Sequence, residues 1–262
     1  MHRPAHLIWE VPEHERHELA PRRTRYCFIV VVWNEGERLR GQLARMAERA
    51  DLADIIIADG RSSDGSTDPQ RLREHGVRAL LITDERGLCT ATRMALAYAI
   101  DEGYEGVITV DGNGKDGVEA LGDFIAALDQ GYDLVQGSRY LPGGFHAHTP
   151  LERYLGTRLV MSPILSLGAG RYFTDPTNAF RACSRRYLTD PRLQPLRRQF
   201  VRFNLQLYLT YRAHRLGYRT AEIPVRRVYP DDGTIPTKIV RFRTKVLNVW
   251  EMLQVACGRY NL

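Results

Sequence analysis

Between residues 26 and 137, short apolar runs alternate with helix-length amphipathic stretches. That alternation limits the fold more than any other feature of the chain. The runs fall at 26–32, 54–58, 79–82, 106–110 and 133–137, and helical spacing of apolar residues marks 35–49, 88–102 and 117–130. Strands that are apolar along their whole length belong in a sheet covered on both faces. The pattern therefore predicts an α/β fold with a mostly parallel central sheet flanked by helices. In such sheets ligands bind beyond the carboxyl ends of the strands. Three polar clusters stand at those ends: Asn34-Glu35, residues 59–66 and residues 111–116.

The second half is less regular. Residues 141–150 read as a Pro/Gly/His loop, 151–167 as a helix with Pro163 as a kink point, and 200–216 as a helix. Residues 220–225 read as a strand, 228–236 as a loop and 238–256 as a basic amphipathic helix. The expected division is an N-terminal extension over 1–25, one α/β domain over 26–236 with an irregular later part, and the C-terminal helix over 237–262.

No segment approaches the roughly 18 uncharged apolar residues of a membrane span. Residues 1–25 are polar and lack the apolar core of a signal peptide, which predicts a cytoplasmic protein, peripheral to the inner membrane face if the C-terminal helix docks there. The four cysteines are scattered with no CxxC pair, which argues against a zinc site or disulfide framework. The net charge of +6 is uneven: residues 181–262 hold 17 Lys/Arg against 5 Asp/Glu, or +12, leaving −6 for residues 1–180. A basic C-terminal third suits an anionic partner such as a diphosphate, a lipid phosphate, a membrane surface or nucleic acid. It equally suits a solvated arginine-rich face.

Each cluster has a structural reading beside its chemical one. Asn34-Glu35 marks a helix start, whose backbone donors and positive dipole end also attract anions. Residues 59–66 (DGRSSDGS) make an Asp/Ser/Gly turn, and Asp59 at the strand end can also accept from a nucleobase N–H. Residues 111–116 (DGNGKD) have strong turn chemistry, and Asp111 and Asn113 also offer oxygen ligands for a divalent cation bridging a diphosphate. Lys115 adds charge beside them.

In this order and spacing the segments resemble glycosyltransferase family two, on the GT-A fold, and within it the polyprenol-phosphate mannosyl/glucosyltransferase-like branch. The resemblance runs from about Tyr26 to Lys238. It rests on FIVVVWNE, IIIADGRSSDGS, RGLCTATRMALAYA, VDGNGKD, DLVQGSRYLPGG, DPTNAFRACSRRYL and EIPV. It departs from that pattern in Asn113, which stands where the family has a second Asp, and in carrying no C-terminal membrane helices.

The resemblance implies a sugar-nucleotide-dependent transferase, metal-dependent with Mg or Mn and inverting at the anomeric centre. It assigns Val32, Trp33, Glu35 and Asp59 to the nucleoside, Asp111 and Asn113 to the metal, and Lys238 to the phosphates. Arg139 and Arg153 look like the branch's arginines for an acceptor phosphate, and arginine forks suit phosphate oxygens. Asp175 is the candidate base for a hydroxyl acceptor, with an Asx turn before Pro176 as the alternative. The expected partners are a nucleotide sugar and an acceptor that is a lipid phosphate or a small molecule. No nucleic-acid motif accompanies the C-terminal arginines and tyrosines, so none is expected there. A nucleotidyltransferase on a related fold, or a non-catalytic sugar-nucleotide binder, is the alternative function.

Overall fold

The computed structural model describes residues 3–231 and 242–262. In chain order the elements are β1 (Glu15–Glu18), β2 (Tyr26–Val32), α1 (Glu37–Ala47), β3 (Asp54–Asp59), α2 (Pro69–Glu74), β4 (Val77–Ile82), α3 (Leu88–Asp101), β5 (Gly106–Asp111), α4 (Leu121–Asp129) and β6 (Leu134–Ser138). They continue with β7 (Phe145–Ala147), α5 (Leu151–Leu155), α6 (Ser162–Ala169), β8 (Arg181–Ser184), α7 (Arg185–Leu188), α8 (Asn204–Arg215), β9 (Thr220–Pro224), β10 (Arg226–Val228) and α9 (Phe242–Ala256).

Eight strands form one sheet in the order β1-β4-β3-β2-β5-β8-β6-β9. The β4-β3-β2-β5 block is parallel, as its apolar runs predict. The returning β8 lies antiparallel to both β5 and β6, and β9 runs parallel to β6. Six strands thus point one way, with β1 and β8 reversed. Successive residues of β2 alternate between two cores: Cys27 and Ile29 join one, while Phe28, Val30 and Val32 join the other. The first core packs α3, α8 and the buried side of α9, the second α1 and α4. Both faces are covered, so β2 and β3 contain no polar face to reveal an alternation.

Sequence reading did not foresee β1, β7, which falls in the loop expected over 141–150, β8, β10 or the short helices α2 and α7. Strand β1 lies within the polar first 25 residues and pairs with β4 from Glu15 opposite Ile82 to Glu18 opposite Ala79. Strand β8 buries Arg181, which no apolar-run criterion would accept. Residues 151–167 are helical as expected, but α5 and α6 are joined by a π-helical turn, Gly156–Met161, immediately before Pro163. A π turn relieves the missing N–H and ring clash that proline brings to a helix interior. Helix α1 starts two residues later than its pattern suggests. Asn34 and Gly36 both take left-handed backbone, with φ of 52° and 54°, which a helix cannot continue through.

Candidate active site

Parallel register sets the site. Val32 pairs with Asp59 and Val31 with Asp111, so the three polar clusters leave the sheet along one edge. Beyond that edge lies a cavity of about 840 Å³. Its walls carry eight Lys/Arg side chains against three carboxylates, Glu35, Asp111 and Glu152. Such a lining favours an anionic occupant.

At the first cluster, Val32, Trp33 and Glu35 reach the cavity with Gly60 and Arg86. The Arg86 guanidinium lies 4.8 Å over the Trp33 ring. The second cluster works mostly behind this wall. Asp59 is fully buried: it accepts from the Ser62 N–H at 2.9 Å and from the hydroxyls of Ser62 at 2.7 Å and Thr67 at 2.8 Å. It does not line the cavity. The Asn34 N–H donates to Ser62 Oγ at 2.9 Å, Ser63 N–H to Asn34 Oδ1 at 2.8 Å, and Gly36 N–H to Asp64 Oδ2 at 2.8 Å. The polar side chains of the second cluster therefore lace the two strand ends together.

The third cluster is held from below by Gln42 of α1. Its amide donates to the Asp111 carbonyl at 3.0 Å and accepts from the Gly114 N–H at 2.8 Å. Gly112 packs so closely that a Cβ there would lie 2.9 Å from Val32 Cγ2. Above the turn, buried Arg227 of β10 donates to Asp111 Oδ2 at 3.2 Å and forms an ion pair with fully buried Asp116. Burial works against the Arg227 charge, and Asp116 and Asp111 overcome it, so its pKa is raised. Burial pushes the Asp116 carboxyl above its usual range despite Arg227. Lys115 is 4% exposed, with Nζ 4.8 Å from the Tyr229 ring centre. Burial, helped by the neighbouring Arg227, brings its pKa down to about 7.

The expected metal role of Asp111 and Asn113 can be tested on this donor set. One oxygen of Asp111 already accepts from both Arg227 and the Asn113 amide, the latter at 3.3 Å. The second position is a neutral carboxamide, and two buried cations share the turn. Among the described residues no three His, Cys, Asp or Glu side chains come together as a metal cluster. A hard divalent ion prefers anionic oxygens not already neutralised. These side chains do not fit one.

On the other wall, Arg139 follows β6 and meets Asp175 in a buried bidentate pair, Nε to Oδ2 at 2.7 Å and Nη2 to Oδ1 at 2.8 Å. Asp175 is fully buried, is not among the residues that line the cavity and also accepts from the Arg139 N–H. It orients the arginine. Glu222 of β9 holds the preceding turn by accepting from the Thr174 N–H at 2.9 Å and hydroxyl at 2.9 Å. Arg139 and half-buried Arg153 both line the cavity. Arg153 comes from α5, whose Glu152 accepts from Lys245 of α9 at 2.6 Å. Lys238 lies outside the described residues. Sequence reading brought Val32, Trp33, Glu35, Asp111, Asn113, Arg139 and Arg153 to one cavity. It missed Gln42 and Arg227, which act on the third cluster from 69 and 116 residues away.

The model of the family "Glycosyl transferase family 2" matches residues 27–188. The chain is 28% identical over 213 residues to an undecaprenyl-phosphate mannosyltransferase of Micrococcus luteus, covering 80% of this chain and 86% of that protein. It is 29% identical over 212 residues to a polyprenol monophosphomannose synthase of Mycolicibacterium smegmatis, covering 77% and 76%. In structure it is similar to glucosyl-3-phosphoglycerate synthase from Mycobacterium tuberculosis, solved with Mn²⁺, uridine diphosphate and phosphoglyceric acid. That likeness has a TM-score of 0.61 at 16% identity and covers 89% of this chain and 78% of the other.

Proposed function

The chain belongs to glycosyl transferase family 2, and on that premise we propose that it moves a hexose from a nucleoside-diphosphate sugar to the phosphate of a polyprenol-type lipid, with inversion. The cationic cavity carries the reading, because both the donor diphosphate and a phosphate acceptor are anions and one continuous space offers arginines to each. The donor's nucleoside is assigned to the Val32, Trp33, Glu35 and Gly60 wall, with Asp59 shaping that wall from behind. The acceptor phosphate is assigned to Arg139 and Arg153.

In the reaction an acceptor oxygen attacks the anomeric carbon from the face opposite the diphosphate. The bond from that carbon to the β-phosphate oxygen breaks, and its electron pair leaves with the diphosphate. Groups that meet this growing charge more strongly in the transition state than in the ground state accelerate the step. A hydroxyl acceptor needs a general base, whereas an ionised phosphate does not. The engagement of Asp175 by Arg139 therefore favours a phosphate acceptor. The names of the two bacterial relatives point the same way. The structural neighbour was solved with Mn²⁺, but the donor set of Asp111 and Asn113 gives that part of the expectation little support here.

A lipid acceptor calls for contact with a membrane. No helix of the described residues is long and apolar enough to cross one. Peripheral contact is assigned to α5, the π turn, α6 and α9, which leave Leu151, Leu155, Leu159, Leu167, Val246 and Trp250 exposed. The test incubates the full chain with uridine and guanosine diphosphate sugars and either polyprenyl phosphate in vesicles or soluble acceptors such as phosphoglycerate. Sugar transfer to the lipid phosphate, with inverted anomeric configuration by NMR, is expected. Transfer confined to a soluble acceptor would remove the lipid, and retention would remove the inversion.

A further inference from the structure

The turn after β5 combines features that a metal-bridged diphosphate site would not need. Lys115 is buried in the cavity wall, and Arg227 is buried above it. Arg227 pairs with Asp111 and Asp116, while Lys115 and Arg153 both stand over the Tyr229 ring, 4.8 and 6.0 Å from its centre. The position that would supply a second anionic ligand holds neutral Asn113. Among the described residues the cavity wall carries more basic side chains than carboxylates, on the edge of the sheet where the three strand-end clusters meet. Burying an ammonium this deeply is costly, and an anion in the cavity offsets that cost.

We infer that Lys115 and Arg227 are the built-in cation of the diphosphate site, taking the place of a divalent ion. This rests on the nucleotide-sugar reading above and adds how the leaving group is stabilised. As the bond to the β-phosphate oxygen breaks, the electron pair stays on that oxygen. The Lys115 ammonium and the outer edge of the Arg227 guanidinium meet the charge directly. Arg227 is fixed by Asp116 and Asp111, so it needs little reorganisation when the charge appears. Asp111 then acts as a positioning residue, holding the cations rather than a metal.

The test uses the full chain, with uridine and guanosine diphosphates as probes, in chelator or with added Mn²⁺ or Mg²⁺. Calorimetry should give the same affinity in chelator as with metal, within about threefold. The Mn²⁺ spin-resonance signal should show no more ion captured by protein plus nucleotide than by nucleotide alone. Lys115→Gln should lose at least tenfold in affinity in chelator. The double variant Asn113→Asp with Lys115→Gln removes the cation and supplies a second carboxylate. It should recover binding only when Mn²⁺ is added, a gain that misfolding cannot produce. Binding by the natural chain only with metal, or undiminished binding by Lys115→Gln in chelator, would overturn the inference and leave the glycosyltransferase reading standing. Failure of every nucleoside diphosphate to bind in either condition would remove both.

Discussion

At the scale of single residues, Gln42 and Lys115 make opposite predictions for stability. Gln42 satisfies one carbonyl and one N–H of the third-cluster turn from inside the protein. Gln42→Ala leaves both without that partner, a loss of about 1–3 kcal/mol. Denaturant unfolding should show it, and kcat/KM should fall further than the stability loss explains, because Asp111 loses its anchor. Lys115 works the other way. Burial holds its native pKa at about 7, against about 10.4 for an unperturbed lysine. Between those values the unfolded chain holds a proton that the native chain has released, so this group's contribution to stability rises with pH. Below pH 7 the native ammonium is charged and poorly solvated. Lys115→Met should therefore raise Tm more at pH 6 than at pH 9, and an equal gain at both would refute the burial argument. The sequence disclosed the three clusters because each is local. It could not show which way a carboxylate faces: Asp59 and Asp175 stand at the expected places with their oxygens turned to Ser62, Thr67 and Arg139. Arg227 reads as one more arginine after EIPV until β10 brings it back over Asp111.

At the scale of elements, the parallel strands of the central block were legible because they are buried on both faces, and the longer helices because their apolar residues recur, whereas the short α2 and α7 were not. Strand β8 was not, since four residues beginning with a buried arginine carry no period to detect. Helix α9 was legible as amphipathic, but not which side would pack. Met252 and Val255 face the core, while Val246 and Trp250 are 51% and 56% exposed. On α5 and the π turn, Leu151, Leu155 and Leu159 recur every four residues and stay exposed. Changing Leu159 or Trp250 to Glu should shift stability by no more than about 0.5 kcal/mol, since these side chains are not in the core. Sedimentation with anionic vesicles should nevertheless weaken. Raising the salt should weaken the natural chain's binding too, because nearby Arg243 and Lys245 contribute about 1 kcal/mol each at an anionic surface. Unchanged sedimentation in both variants would leave these faces without a membrane role.

At the scale of the whole molecule, the site exists only where the parallel block and the later segments meet. A nucleoside diphosphate at about 100 times its Kd should therefore stabilise the whole chain by roughly 2.7 kcal/mol. For a chain of this size that is a Tm rise of about 5–10 °C. A melting profile in which only part of the transition moves would contradict a single cooperative unit. The reversed strand β8 has a different consequence. The chain leaves β6, runs through Arg139, α5, α6 and Asp175, and returns as the immediate neighbour of β6, with Gly137 N–H bonded to the Phe180 carbonyl at 2.9 Å. The two ends of that excursion are thus stapled side by side, like the handles of a drawer. Lengthening such a loop costs little, since closure entropy grows only with the logarithm of its length. Arg139 and Asp175 both sit inside it and would travel as a matched pair. On the proposed assignment, a graft of the corresponding stretch from a relative exchanges the acceptor while the nucleotide side keeps its own strands, so one half of the enzyme is free to diversify without renegotiating the other.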